Sequence, residues 1–198
     1  IADIMAHVFE RYFTHTKDVE VTDRLCEALL LTLINEAPKV MENPEDYGAR
    51  ANIMWAGMVA HNDLVGVGRE EDWGSHGIAH EPSGLYDVAH GASLAVIFPA
   101  WMKYVMDRDI NRFAQMAVRL WGCDMDFANP RTTALKGIKR LEEFWGSLGL
   151  PLNLEELGAK EEDIPLMAKK MGLDEGNTRG SFMPLTTEDV ENIFRLAL

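Results

Sequence analysis

Apolar residues in this chain recur at three- and four-residue intervals, and no stretch alternates β-branched with polar residues over the length of a strand. A period near 3.6 gathers apolar side chains on one side of a helix, whereas a half-buried strand needs a period of two. This feature commits the chain to helices packed on helices. Leu25, Leu29, Leu30, Leu33 and Ile34 show it most plainly, within a helix expected over 22–40. A first helix is expected over 1–13. A third should open at Pro44, with Pro in the first turn and Glu45 and Asp46 beside the positive dipole end, and run to about Leu64. Others are expected over 92–106 with a bend at Pro99, over 109–121, and from Asn129-Pro130 to near Trp145 or Leu148. The segment 157–171 should hold a shorter helix with a kink or restart at Pro165, and Thr186 to Asp189 read as the capped start of a last helix to Leu198. Between Gly74 and Gly91 the chain is rich in Gly and His. One or two short helices are expected there, interrupted at Pro82, Gly84 and Gly91, and 174–183 reads as loop. The expected fold class is all-α, a multi-helix bundle of roughly seven to nine helices.

The 198 residues are 47% hydrophobic, enough to close one core, and no repeat or linker divides them. Asp and Glu number 32 against 19 Lys and Arg, a formal net charge of -13. Without a basic stripe to neutralise phosphates, nucleic acid and anionic membrane surfaces are excluded as partners. The longest apolar stretch, near 92–105, is broken by Lys103 and too short to span a bilayer. The first residues have no basic n-region. Cys26 and Cys123 make no CxxC pair and are expected to be buried, reduced thiols of a cytoplasmic protein. Neither G-x-G-x-x-G nor a P-loop occurs, so nothing in the chain is built to hold a nucleotide phosphate.

Six histidines carry the chemical information. Asp3 and His7 are spaced i, i+4, which stacks them on one helical face, and His76 and His80 in WGSHGIAH repeat the spacing. His90 follows ten residues later, after enough chain to turn back. Asp3, His7, His76 and His90 would form an oxygen and nitrogen set without thiolate, suited to Fe²⁺ or Zn²⁺ and open to a further ligand. The competing readings are an exposed helix pair for Asp3 with His7 and a capping or core pair for His76 with His80. His15 reads as a cap at the end of the first helix, and His61 as a helix-end residue with no spaced partner. Tyr86, Asp87, Glu81 and Asp72 are candidates to orient imidazoles. Position 77 is Gly, so H-E-x-x-H is absent, and no serine sits in G-x-S-x-G.

Three segments, ADIMAHVFERYFT, WGSHGIAHEPSGLYDVAHGASLAVIFPAWMKYV and LTTEDVENIFRLAL, resemble the carboxy-terminal metal-binding domain of the iron-containing (group III) alcohol dehydrogenases. The butanol dehydrogenase branch is the most similar, and the resemblance covers essentially the whole chain. It implies the helical domain of a dehydroquinate synthase-like fold over 1–198. It also implies an amino-terminal nucleotide-binding domain, absent from this chain, as partner. The metal ligands implied are Asp3, His7, His76 and His90, binding Fe²⁺ or Zn²⁺, and His80 is implied as a catalytic proton relay or substrate-side hydrogen bond. The implied reaction is hydride transfer between a primary aliphatic alcohol, or its aldehyde, and NAD or NADP, with Ile78, Leu85 and Trp73 bounding an aliphatic pocket. The choice between NAD and NADP belongs to the other domain. By itself the chain is expected to fold, to expose an apolar cleft wall that favours a homo-oligomer, and to lack dehydrogenase activity. Two further readings remain: an inert metal-binding helical module and a metal-assisted hydrolase.

Overall fold

The computed structural model describes residues 1–173 and 176–198. Nine α-helices occur among the described residues: α1 (Ala2–Tyr12), α2 (Glu20–Glu42), α3 (Tyr47–His61), α4 (Gly74–Tyr86), α5 (His90–Val105), α6 (Ile110–Trp121), α7 (Pro130–Ser147), α8 (Ile164–Lys170) and α9 (Thr187–Leu196). The same residues hold no strand, only one antiparallel bridge between Arg179 and Leu185. The all-α expectation therefore holds. No helix among them is long and apolar enough to cross a membrane.

Two helices form the axis of the bundle. In α5 every residue from Ser93 to Met102 is buried, which only a helix with neighbours on all sides tolerates. α1 lies against it and also meets α2, α3 and α4. Phe9 of α1 and Phe13 just after it join Phe98, Trp101 and Phe113 in one aromatic core, with the Phe13 and Phe113 rings stacked 4.4 Å apart. Each such buried ring contributes about 1.5–3 kcal/mol. α6 and α7 pack together at Gly137, where an added Cβ would come within 2.4 Å of the Ala117 methyl. Only glycine permits that approach.

The boundaries correct several expectations. Pro44 lies outside α3. Asp46 caps that helix instead, accepting from the Ala49 N–H at 2.9 Å. Pro82 and Gly84 do not interrupt α4, which runs unbroken to a left-handed Asp87. Pro165 sits in the first turn of α8, where its missing N–H costs nothing, so the helix starts there rather than kinking. The start of α9 is a full capping box between Thr186 and Asp189, as the sequence indicates. Cys26 is buried and Cys123 only partly so. Of the segment expected to be loop, Asp174 and Glu175 lie outside the described residues.

Candidate metal centre

The site begins as a stripe on α1. Asp3, His7 and Glu10 follow one another at four and three residues, so all three face the start of α4. That start needs help: Trp73, just before it, has a left-handed φ of 62° and supplies no side-chain cap. Buried carboxylates cap it instead. Glu10 accepts from the Trp73 N–H (2.7 Å), the His76 N–H (3.0 Å) and the Ser75 hydroxyl (2.6 Å). Asp72 accepts from the Gly74 N–H at 2.8 Å and the Phe182 N–H at 2.8 Å. Unpaired N–H groups and the positive dipole end both favour negative charge there. A Cβ at position 74 would lie 2.6 Å from Asp72 Oδ2 and push that carboxylate off the helix start. Burial, and next the charge of Glu10, push the Asp72 carboxyl up to about 7.

Glu10 also meets the His76 ring, with Nδ1 2.9 Å from Oε1. Nδ1 donates, which leaves Nε2 as a lone pair. That Nε2 is buried without a hydrogen-bond partner among the described residues and lies 3.9 Å from Asp3 Oδ1. One ligand atom each from Asp3, His7 and His76 lies within 4.8 Å of the others. Neighbouring ligands of a tetrahedral ion with bonds of about 2.0–2.1 Å stand about 3.3–3.4 Å apart, so the three would draw closer together to hold one ion. His90 opens α5 and brings Nε2 to 3.7 Å from Asp3 Oδ1. Burial, then the neighbouring His76 and His61, lower the His7 pKa to about 4. Burial, then His80, lower that of His90. Near neutral pH both rings keep free lone pairs. One carboxylate, the His7 and His90 rings and a buried unpaired Nε2 on His76 fit a divalent Fe or Zn ion.

His80 is exposed on the rim, its ring 4.8 Å from that of His90. The largest departure from expectation is His61. Its ring lies 4.0 Å from His7, its Nε2 lies 3.7 Å from Asp3 Oδ2, and its Nδ1 donates to the Gly57 carbonyl at 2.7 Å. Asp3 and His7 sit on another helix, so no spacing in the sequence announces those contacts. Glu10 had a readable signal, the continuation of the Asp3–His7 stripe. The acids expected to orient imidazoles do other work. The Tyr86 hydroxyl donates to Asp163, Asp72 accepts from backbone N–H groups, Asp87 ends α4, and Glu81 lines an outer cleft with His80. His15 does not cap α1. It stacks on Phe182 and bonds the Phe182 carbonyl at 2.8 Å.

Residues 1–198 match the Fe-containing alcohol dehydrogenase family, C-terminal. The chain belongs to that family. It is 40% identical over 195 residues to NADH-dependent butanol dehydrogenase A of Clostridium acetobutylicum, which covers 98% of this chain and 50% of that protein. It is 34% identical over 171 residues to the NADPH-dependent aldehyde reductase YqhD of Escherichia coli, covering 86% and 44%. Among solved structures, NADH-dependent butanol dehydrogenase A from Thermotoga maritima superposes with a TM-score of 0.92 at 34% identity, over 99% of this chain and 50% of that one. The chain thus spans about half the length of the curated relatives it matches.

Proposed function

We propose that this chain is the metal- and substrate-binding half of an NAD(P)-dependent alcohol dehydrogenase that interconverts primary aliphatic alcohols and their aldehydes. An amino-terminal nucleotide-binding domain would be its partner. The observation that carries the reading is the convergence of Asp3, His7 and the unpaired Nε2 of His76 at the meeting of α1 and α4, with His90 beside them. Asp3, His7, His76 and His90 would hold the ion, Fe²⁺ or Zn²⁺. When bound, the ion supplies Lewis-acid polarisation of the substrate oxygen and the nicotinamide takes or gives the hydride.

The chain's own residues orient and enclose. His80, exposed beside His90, is placed to hydrogen-bond the substrate oxygen or pass its proton to water. Ile78 is fully buried in the core, whereas Leu85 is half-buried and keeps part of its surface free. The apolar groove next to the cluster involves neither. Ile1, Ile4, Ile53, Met54 and Gly57 line about 490 Å³ that ends at His61, wide enough for an aliphatic chain. The reading of aliphatic substrates rests on this groove and on the relatives named as butanol dehydrogenases.

The test is reduction of butanal with NADH and with NADPH by the chain joined to its nucleotide-binding half, beside the 198 residues alone. Turnover by the joined protein, lost in His90→Ala and absent from the 198 residues alone, is expected. Equal turnover by the 198 residues would show a cofactor site within this chain and overturn the division of labour. Hydrolysis of a simple ester by the 198 residues alone would favour metal-assisted hydrolysis instead.

A further inference from the structure

Resting on the metal reading above, we infer that Glu10 is the positioning residue of the centre: its carboxylate fixes His76 in the Nδ1–H tautomer, and so sets how tightly the cluster takes a divalent ion. Glu10 is fully buried, and each group it meets is a donor: two backbone N–H groups, one hydroxyl and the His76 ring. Three of these donors converge on Oε1, and the Trp73 N–H meets Oε2. None of its contacts is a Lys or Arg side chain, and a buried carboxylate without a cation is costly. Two sources can balance it. One is the positive end of α4, through the Trp73 and His76 N–H groups. The other is an ion on the far nitrogen of His76.

Capping α4 does not require the second contact. The Trp73, Ser75 and His76 backbone and hydroxyl donors would be served by a carboxylate facing away from the ring. Here one oxygen, Oε1, is shared between the helix start and Nδ1, so the residue that fixes where α4 begins also fixes the tautomer and aim of its imidazole. In the opposite tautomer Nε2 would carry a hydrogen toward Asp3 and could not ligate. A carboxylate behind an imidazole also raises its basicity, and loss of such a partner typically weakens metal affinity about 10- to 100-fold.

The experiment uses the 198-residue chain labelled with ¹⁵N, with Co²⁺ as the probe metal. Nitrogen–proton correlation spectra of the metal-free chain should show His76 as the Nδ1–H tautomer, and an Nε2–H tautomer would overturn the proposal. Co²⁺ affinity, measured against a competing chelator, should fall about 10- to 100-fold in Glu10→Gln, with a shifted visible Co²⁺ band. Ser75→Ala removes a capping donor but leaves the carboxylate on Nδ1, so it should keep the band and nearly the whole affinity. Equal losses in both variants, or none in Glu10→Gln, would overturn the role. If Glu10→Gln does not fold, Glu10→Asp, one methylene short of Nδ1, carries the same expectation. If the unaltered chain binds no Co²⁺, the metal reading falls, and the tautomer spectrum still decides whether Glu10 positions His76.

Discussion

Two polar clusters flank α1, one buried and one half-open, and they are finished in opposite ways. On the α2 and α6 side, Asp23 is met by Arg112, Gln115 and Arg69, and Glu27 by Tyr12, Arg24 and Arg119. The side chains of Asp23, Glu27 and Arg69 are 4%, 4% and 0% exposed. The cations are part of the chain, and both carboxylates have their acceptors used. On the α4 side, Asp3 lies 3.7–3.9 Å from ring nitrogens of His61, His76 and His90 and has no Lys or Arg against it among the described residues. The first arrangement locks helices together; the second is a set of ligand atoms. Burial separates them in part, since the Asp3, His61 and His90 side chains are a third or more exposed and only His76 is buried. The other difference is the partner of the carboxylates: Arg side chains meet Asp23 and Glu27, whereas Asp3 meets imidazole rings.

Asp23→Ala should break the closed cluster with the largest effect of any single change. It leaves two guanidinium groups buried without their carboxylate, and breaking such a pair costs about 3–5 kcal/mol. For a chain of this size that lowers Tm by roughly 6–20 °C, readable by thermal melting. Metal affinity should not change. Acid should undo the same contact. Burial alone would raise the Asp23 pKa, but the Arg112 hydrogen bonds and charge, with Gln115 and Arg69, hold it below the usual carboxylate range. Its contribution is therefore present at and above that range and is lost as pH falls through the lowered value. Chemical denaturation of the unaltered chain and of Asp23→Ala at descending pH should show their stabilities converging. A gap that stays constant to the lowest pH would show that the contact is not ionic.

The open cluster should respond to added metal instead. An ion that binds only the folded chain stabilises it by about 2.7 kcal/mol at a hundredfold excess over Kd. Zn²⁺ should therefore raise the Tm of the unaltered chain and of Asp23→Ala, but not that of His76→Ala. In metal-free solution His76→Ala should cost less than Asp23→Ala, since it removes an unpaired nitrogen with the ring. A metal-induced rise that survives His76→Ala would place the ion elsewhere.

The same difference decides how much could be read in advance. Helices and their apolar stripes are local, and α1, α5, α6, α7 and the box at Thr186 follow from a few neighbouring residues each. Errors fall where a distant contact overrides a local signal. Pro82 and Gly84 look like breaks, yet α4 continues because Glu10 and Asp72 hold its first turn and α5 and α8 pack along it. In the site, Asp3–His7 and His76–His80 announce themselves by spacing. His61 reaches Asp3 only because the end of α3 packs on α1. Glu10 was legible as a third step of the α1 stripe, but nothing local says that it turns inward to another helix.

The smallest effect is expected at His80, and it sharpens the contrast because His80 belongs to neither cluster. It shares the i, i+4 spacing with His76, so sequence alone cannot tell ligand from neighbour. The structure separates them. His76 is buried and bonded to Glu10, whereas His80 is exposed with its ring beside that of His90. Removing an exposed side chain with no network behind it changes stability by within about 0.5 kcal/mol. His80→Ala should therefore leave Tm and Zn²⁺ affinity nearly unchanged, while in the chain joined to its nucleotide-binding half it should lower kcat for butanal reduction. General acid–base or hydrogen-bonding groups typically contribute about 10²–10⁴-fold, and an exposed ring that water can partly replace belongs at the lower end. The measurement is kcat and metal affinity on the same preparation. A large loss of Zn²⁺ affinity would make His80 a ligand and move the ion toward the rim, whereas unchanged kcat would remove it from the reaction.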